Sequence, residues 1–136
     1  MSTLRTNALE GVDAKNSITI VAGAGNITTT NVQEGLCKSW VNLNTSSTAS
    51  TRDTFNVSGI TDNSTGNTTV SVTNNFANVN FAYSVASSYT SSNQGVHQEV
   101  HEGGIATSSY GVGTFNLSNS SADSENVFSL VAGDLA

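Results

Sequence analysis

The chain has 136 residues, of which 10 % are charged and none is proline, and its formal net charge is −6. With only four Lys and Arg residues it cannot form the basic patch that nucleic-acid phosphates require, so nucleic-acid binding is excluded. Its single cysteine, Cys37, excludes an intrachain disulfide, so packing must supply the stability.

The residue types favour strands over helices. Thr, Val, Ile and aromatic residues suit a pleated, half-buried backbone, whereas the abundant Ser and Asn offer competing hydrogen bonds inside helices. The 36 % of apolar residues are spaced at alternating positions. We therefore predict an all-β fold: a single antiparallel β-sandwich, of jelly-roll or immunoglobulin-like two-sheet architecture, preceded by an extended N-terminal arm.

Residues 1–35 form the predicted arm, and residues 36–136 form the predicted β-sandwich domain. The arm has too few large apolar residues to bury much surface by itself. We expect it to serve assembly or docking, by packing against its own domain, a second copy of the chain or a partner. The apolar side chains available for this role are those of Leu4, Leu9, Ile18, Ile20 and Ile27.

The first predicted strand of the domain surrounds Trp40. Trp40 and Asn42 fall on one face, and Val41 and Leu43 fall on the other. Because Trp40 is the largest of these side chains, we expect it to anchor the core. The polar tract that follows, residues 44–51, reads as a loop.

Residues 55–74 predict an antiparallel hairpin, because two alternating runs flank a polar turn at residues 62–67. A further strand follows at residues 80–85, then a long polar loop or projecting hairpin at residues 87–104. Three closing strands are predicted at residues 105–110, 114–117 and 126–131. The predicted interior residues are Trp40, Phe55, Val57, Ile60, Val70, Val72, Phe81, Tyr83, Phe115, Leu117 and Phe128.

The loop at residues 89–102 is the predicted receptor-binding segment, since exposed aromatics amid Ser, Asn and Gly are typical of adaptable binding loops. The residues proposed for contact are Tyr89, Asn93, Gln94, His97, Glu99 and His101. His97 and His101 are also weak candidates for metal ligands. Because the spacing lacks a zinc-protease motif, we expect solvent-exposed histidines and neither a metal nor a cofactor.

Catalytic patterns are absent from the sequence. There is no nucleophile elbow and no phosphate-binding loop, and the abundance of Ser makes any imagined triad meaningless. The acidic pair Asp123 and Glu125 reads as a solvated turn rather than as a sugar-hydrolysing pair. We therefore expect a protein that is not an enzyme. We also expect no membrane insertion, because there is neither a secretory h-region nor a long apolar run.

Three segments together resemble a known family. They are K-S-W-V-N from Lys38, R-D-T-F-N-V-S-G-I-T-D-N-S-T-G-N-T-T-V-S-V from Arg52 and N-F-A-Y-S-V from Asn80, with a looser match in V-F-S-L-V-A-G-D near the C-terminus. This combination resembles a small β domain of tail-fibre and related tail proteins of tailed bacteriophages, especially marine phages and cyanophages.

The resemblance implies a virion structural protein, made in the host cytoplasm and placed in the tail rather than the capsid. It implies a homotrimer that takes part in host attachment and carries no catalytic residues. Its implied partners are other copies of the chain, other virion proteins through the arm, and a host-surface glycan or protein. Two alternatives stay open: a capsid-bound decoration or head-fibre protein, and a glycan-binding, lectin-like module.

Overall fold

The computed structural model describes residues 35–88, 97–100 and 104–136, together with Ala8, residues 19–21 and residues 29–31. The chain divides into two compact units, Met1–Leu36 and Cys37–Ala136. In the first unit, strand β1 (Thr19–Val21) pairs antiparallel with β2 (Thr29–Asn31). Among the predicted arm residues, Ile20 lies in β1, while Leu4, Leu9, Ile18 and Ile27 lie outside the described residues. An assembly role for the arm therefore stays a prediction.

The second unit is a sandwich of two antiparallel four-stranded sheets, with strand orders β4-β3-β10-β7 and β5-β6-β9-β8. The predicted all-β sandwich is thus confirmed. The strand bounds are β3 (Ser39–Asn44), β4 (Ser50–Phe55), β5 (Val57–Ser64), β6 (Asn67–Val72), β7 (Ala82–Ser87), β8 (His97–Val100), β9 (Ser109–Phe115) and β10 (Val127–Ala132).

Both sheets contribute to one core. Along β3 and β6, burial alternates with the two-residue period of a strand that has one face in the interior. The predicted core residues Val70 and Val72 are buried, and Val57, Ile60, Phe81 and Tyr83 pack against the buried set. That buried set comprises Val41, Leu43, Val70, Val72, Phe76, Tyr110, Val112, Val127 and Val131.

Several of the large predicted core residues are not buried in the core. Val41 and Leu43 occupy the interior face of β3, so Trp40 lies on the outer face and is partly exposed. Phe55 and Phe128 are 50 % and 42 % exposed for the same reason of alternation. Phe115 is half-buried at the end of β9. Leu117, in the turn after that strand, is 77 % exposed.

The chain passes from one sheet to the other at Asn56. Phe55 ends β4 in the first sheet and Val57 begins β5 in the second, so the apolar alternation continues across a change of sheet. The predicted hairpin is therefore β5 with β6, turning at Thr65 and Gly66, and Phe55 is not part of it. The tract predicted as a loop also contains the start of β4, whose Ser50 pairs with Asn44.

The Asn56 side chain stabilises this crossover through hydrogen bonds. Its φ angle is 56°, in the left-handed region. Its Nδ2 donates to the carbonyl of Lys38 at 2.9 Å and of Asn74 at 3.2 Å, and its Oδ1 accepts the Asn74 amide at 2.7 Å. One amide thus connects three segments of the chain.

Asn56→Gly is expected to lower the free energy of unfolding by about 1–3 kcal/mol, because glycine tolerates the positive φ but loses three hydrogen bonds. The matched control is Asn119→Gly. Asn119 has nearly the same φ, 57°, yet its backbone amide, not its side chain, donates to Asn116. The control is expected to change stability by less than about 0.5 kcal/mol in urea unfolding. Equal costs for the two variants would contradict the bridging role.

Strand β9 replaces two of the predicted closing strands. It runs without interruption through Gly111, Val112 and Gly113, which are all buried. Gly104 packs closely against this strand, since a Cβ on Gly104 would lie 2.8 Å from the Cα of Gly111. Sequence patterns alone do not separate a glycine in a turn from a glycine inside a strand.

Two tyrosines meet inside the sandwich. The rings of Tyr83 and Tyr110 lie 5.3 Å apart. The Tyr83 hydroxyl donates to the carbonyl of Gly111 at 3.1 Å, and the Tyr110 hydroxyl is 2.9 Å from Oγ of Ser129. Burial raises the pKa of Tyr110 above 10.0, partly opposed by the hydrogen bond with Ser129. Burial, and then the neighbouring Tyr110, raise the pKa of Tyr83.

These shifts predict a loss of stability at alkaline pH. The folded chain keeps both phenol protons at pH values where the unfolded chain releases them. The contribution of the two protonated tyrosines to the free energy of unfolding is therefore complete below about pH 10. It is lost as pH rises through the folded pKa values. Urea unfolding between pH 8 and pH 11 checks this, with Tyr83→Phe expected to flatten the decline. The same pH slope in wild type, Tyr83→Phe and Tyr110→Phe would refute the assignment.

Candidate functional site

The outer face of the β4-β3-β10-β7 sheet carries an apolar patch. On β10, Val127, Ser129 and Val131 point inward, so Phe128 and Leu130 point outward. The strand register places Leu130 opposite Trp40, and Trp40 opposite Phe55. Paired residues share a face, so these side chains form one surface, the outer patch, which consists of Trp40, Phe55, Phe128 and Leu130.

The outer patch exposes large side chains to solvent. Leu130 is 53 % exposed and Phe55 is 50 % exposed. Single exposed apolar residues are ordinary on protein surfaces, but a contiguous group of large ones is typical of interaction sites. The patch is thus the first candidate for a binding surface.

A groove of about 380 Å³ runs along this face. Its shape follows from side-chain size, because small residues on β7 lie beside large ones on β10. Ser84 pairs with Leu130, and Ala86 pairs with Phe128. The groove is lined by Trp40, Val41, Asn42, Ser84, Ala86, Phe128, Ser129 and Leu130.

Asn42 supplies the main polar group of the groove. It lies between Asp53 on β4 and Phe128 on β10. Its Oδ1 is buried and, within the described part of the chain, has no hydrogen-bond partner. A buried acceptor without a partner is unusual in a folded protein, because its desolvation is uncompensated. Oδ1 has less than 1 Å² of accessible surface, so a molecule in the groove does not reach it in this conformation.

A carboxylate lies next to this amide. Asp53 is exposed and shares the outer face with Asn42. One of its oxygens accepts the Thr54 amide at 2.8 Å. None of the groove-lining residues carries a positive charge.

The described part of the predicted receptor-binding segment, β8, belongs to the other sheet. Tyr89, Asn93, Gln94 and His101 lie outside the described residues. His97 and Glu99 lie in β8, where their backbones pair with Phe115 and Gly113 of β9. The structure does not bring them to the groove, and their role in receptor binding stays a prediction.

The predicted acidic turn at Asp123 and Glu125 is held to the rest of the domain by a hydrogen bond of Asp123. Oδ1 of Asp123 accepts the Gly66 amide at 2.7 Å, which ties the turn to the β5–β6 hairpin. Nearby, Nη1 of Arg52 donates to the Glu125 carbonyl and to Oδ1 of Asn126. Within the described ranges, no group of three or more His, Cys, Asp or Glu side chains could hold a metal ion. No described helix is long and apolar enough to cross a membrane.

The sequence analysis assigned the large aromatic residues to the core, so it did not predict the groove. A signal is nevertheless present: β3 and β10 are apolar on both faces, in W-V-N-L and V-F-S-L-V. A strand with two apolar faces is typical of a sheet covered on both sides. One face of this sheet meets the second sheet, which leaves the other available to a partner.

A scan of family models, a search of curated proteins and a search of solved structures each found no match to this chain. Its function is therefore argued from its own residues.

Proposed function

We propose that this chain is a virion structural protein of a tailed bacteriophage, a tail-fibre or tail-attachment component that adheres to the host surface. The observation that carries the adhesive role is the exposed outer patch and its groove on a stiff sheet. The resemblance of the segments around Trp40, Phe55 and Phe81 to phage tail domains supports its place in a virion. No catalytic role is part of the proposal.

The physical character of the domain suits adhesion. The groove lies on strands of one sheet, and side chains that are held in place before binding lose little conformational freedom on contact. Few charges surround it, so contact with an envelope does not depend strongly on salt. A homotrimer would present three grooves, and three weak contacts to one cell surface give a strong overall attachment.

Two measurements test the proposal. The purified chain is expected to bind cells that the phage infects and to inhibit phage adsorption to them in a dose-dependent way. An antibody against the chain is expected to label virion tails in electron micrographs. Absence of cell binding and of competition would refute the adhesive role. Label on the capsid would favour the decoration or head-fibre alternative.

The oligomeric state is tested separately by mass measurement of the purified protein with and without residues 1–35. We expect trimers for the full chain and loss of trimers after truncation. A full-length monomer would contradict the assembly role of the arm.

A further inference from the structure

We propose that the uncovered edge of strand β5 receives strand β1 of a second copy of the chain, which extends the β5-β6-β9-β8 sheet by one strand. This inference rests on the trimer of the proposed function and identifies the surface of the sandwich that receives the arm. The outer patch lies on the other sheet, so it stays free for adhesion.

Strand β5 has an outer edge without a partner strand. It stands at the end of its sheet and pairs with β6 alone. In the part of the chain that the structure describes, no backbone hydrogen bond joins β5 to any other segment. Every second residue of such a strand directs its N–H and C=O groups away from the sheet. Over eight residues this leaves a row of backbone groups that a further strand can pair with.

This edge also lacks most of the protection that proteins give to exposed strands, which includes charges, bulges and short length. Edge strand β4 carries Arg52 and Asp53 beside a register shift. Edge strand β8 has only four residues. By contrast, β5 pairs regularly from Gly59 to Asp62 between register shifts near its two ends. Its one charge, Asp62, is occupied as the acceptor of the Ala49 amide at 3.0 Å.

The arm contains a sheet that needs a further strand. β1 and β2 have three residues each, and their sheet consists of these two strands alone. A two-stranded sheet is marginally stable in water, and a third strand or a packing surface is required for stability. Neither strand carries a charge, and Ile20 and Val21 in β1 have a strong preference for strands. β1 therefore suits the uncovered edge of a larger sheet.

Side chains at the β5 edge gain cover from the added strand. Val57 and Ile60 pack against the core but keep part of their surface exposed. A strand paired with β5 places its own side chains about 5 Å from those of β5 on the same face. The Ile and Val of β1 then remove apolar surface at this edge from water.

The contact is compatible with three copies. Because β1 and β5 are different segments, the contact is head-to-tail, and a ring of three such contacts closes on itself. Pairing of β5 with β5 of a second copy would instead close after two copies. The seven residues between β2 and β3 span about 25 Å when extended, enough to carry an arm to an adjacent sandwich.

A disulfide between two different copies tests the pairing directly. Two forms of the full chain with different tags are produced together, and both carry Cys37→Ser, which keeps a donor to the Ser39 carbonyl. One form carries Ile20→Cys or Val21→Cys, so that both faces of β1 are sampled. The other carries Thr61→Cys on β5. Paired strands hold opposite Cα atoms about 4.5–5.5 Å apart, a distance that a disulfide spans.

The matched control is Thr51→Cys, because Thr51 is also an exposed threonine on an edge strand, but on β4. After mild oxidation, we expect the mixed disulfide of one β1 cysteine with Thr61→Cys to form at least about fivefold more than with the control. Mass spectrometry and non-reducing gels measure the yield.

A second pair of variants tests the effect on assembly without cysteines. Thr61→Lys places a charge on the β5 edge and is expected to weaken trimer formation at least about fivefold, whereas Thr51→Lys is expected to leave it unchanged. Sedimentation measures assembly. Circular dichroism and urea unfolding verify that each variant is folded.

The outcomes separate this proposal from the adhesive function. Equal disulfide yields for Thr61→Cys and the control, or trimers of Thr61→Lys as stable as those of wild type, would overturn the proposal. A disulfide that joins Thr61→Cys to the same position of another copy would show that β5 pairs with itself, and one that forms only with both cysteines in one chain would assign the edge to the chain's own arm. Both results overturn it as well. Inhibition of phage adsorption by the wild type tests adhesion independently.

Discussion

Gly66→Ala is expected to lower the free energy of unfolding by at least about 2–3 kcal/mol. Gly66 turns the β5–β6 hairpin with φ at 68°, a region that costs a residue with a Cβ about 1–2 kcal/mol. A Cβ there would also lie 2.3 Å from the carbonyl oxygen of Thr114 and 2.8 Å from the amide nitrogen of Ala122. Because both neighbours are backbone atoms, they cannot rotate away. The turn or the segment around Ala122 must therefore move.

The movement would also disturb two hydrogen bonds at this position. The Gly66 amide donates to Asp123, and its carbonyl accepts the Thr114 amide at 2.9 Å. The matched control is Gly59→Ala in β5, where nothing lies within 4 Å of the added methyl group. We expect the control to change stability by less than about 1 kcal/mol in urea unfolding followed by circular dichroism. A Gly66→Ala variant as stable as the control would contradict the close approach.

Leu43→Ala is expected to cost about 2–5 kcal/mol of unfolding free energy. Leu43 is fully buried between the sheets, so truncation removes apolar contacts and leaves a cavity that the surrounding strands cannot close. Leu117→Ala makes the same chemical change at a side chain that is 77 % exposed, and its cost is expected to stay within about 0.5 kcal/mol. Urea unfolding of both variants gives the comparison.

Trp40→Ala adds a test of which face of β3 is interior. Although Trp is the larger side chain, its position on the outer face predicts a smaller loss of stability than for Leu43→Ala. A larger loss for Trp40→Ala would mean that the interior and outer faces of β3 have been exchanged, and with them the groove.

The choice of interior face on β10 has a steric cause. The Tyr110 ring enters the interior from the opposite sheet, and its hydroxyl reaches Ser129 on β10. Packed sheets lie about 10 Å apart, so a large side chain from one sheet requires small ones opposite. Val127, Ser129 and Val131 meet this requirement. Phe128 and Leu130 then have only the outer face to occupy.

Local patterns fail at two other places for related reasons. The alternation from Phe55 to Val57 continues while the chain changes sheet at Asn56, because the crossover preserves the apolar spacing. Gly111 and Gly113 look like a break, but they remain in β9, with Gly104 close against Gly111. In both cases the structure depends on tertiary contacts between strands, which a local sequence pattern does not specify.

The sequence by itself determined the all-β character, the β5–β6 hairpin and the pairs of side chains that share a face, because strand propensity, turn residues and a two-residue period are local properties. Only the tertiary structure decided which face of β3 and β10 meets the second sheet. Both faces of those strands carry apolar residues, and on β10 the bulk of Tyr110 from the opposing sheet favours the face with the smaller side chains. The same packing leaves Trp40 and Phe128 outside, where they form the groove.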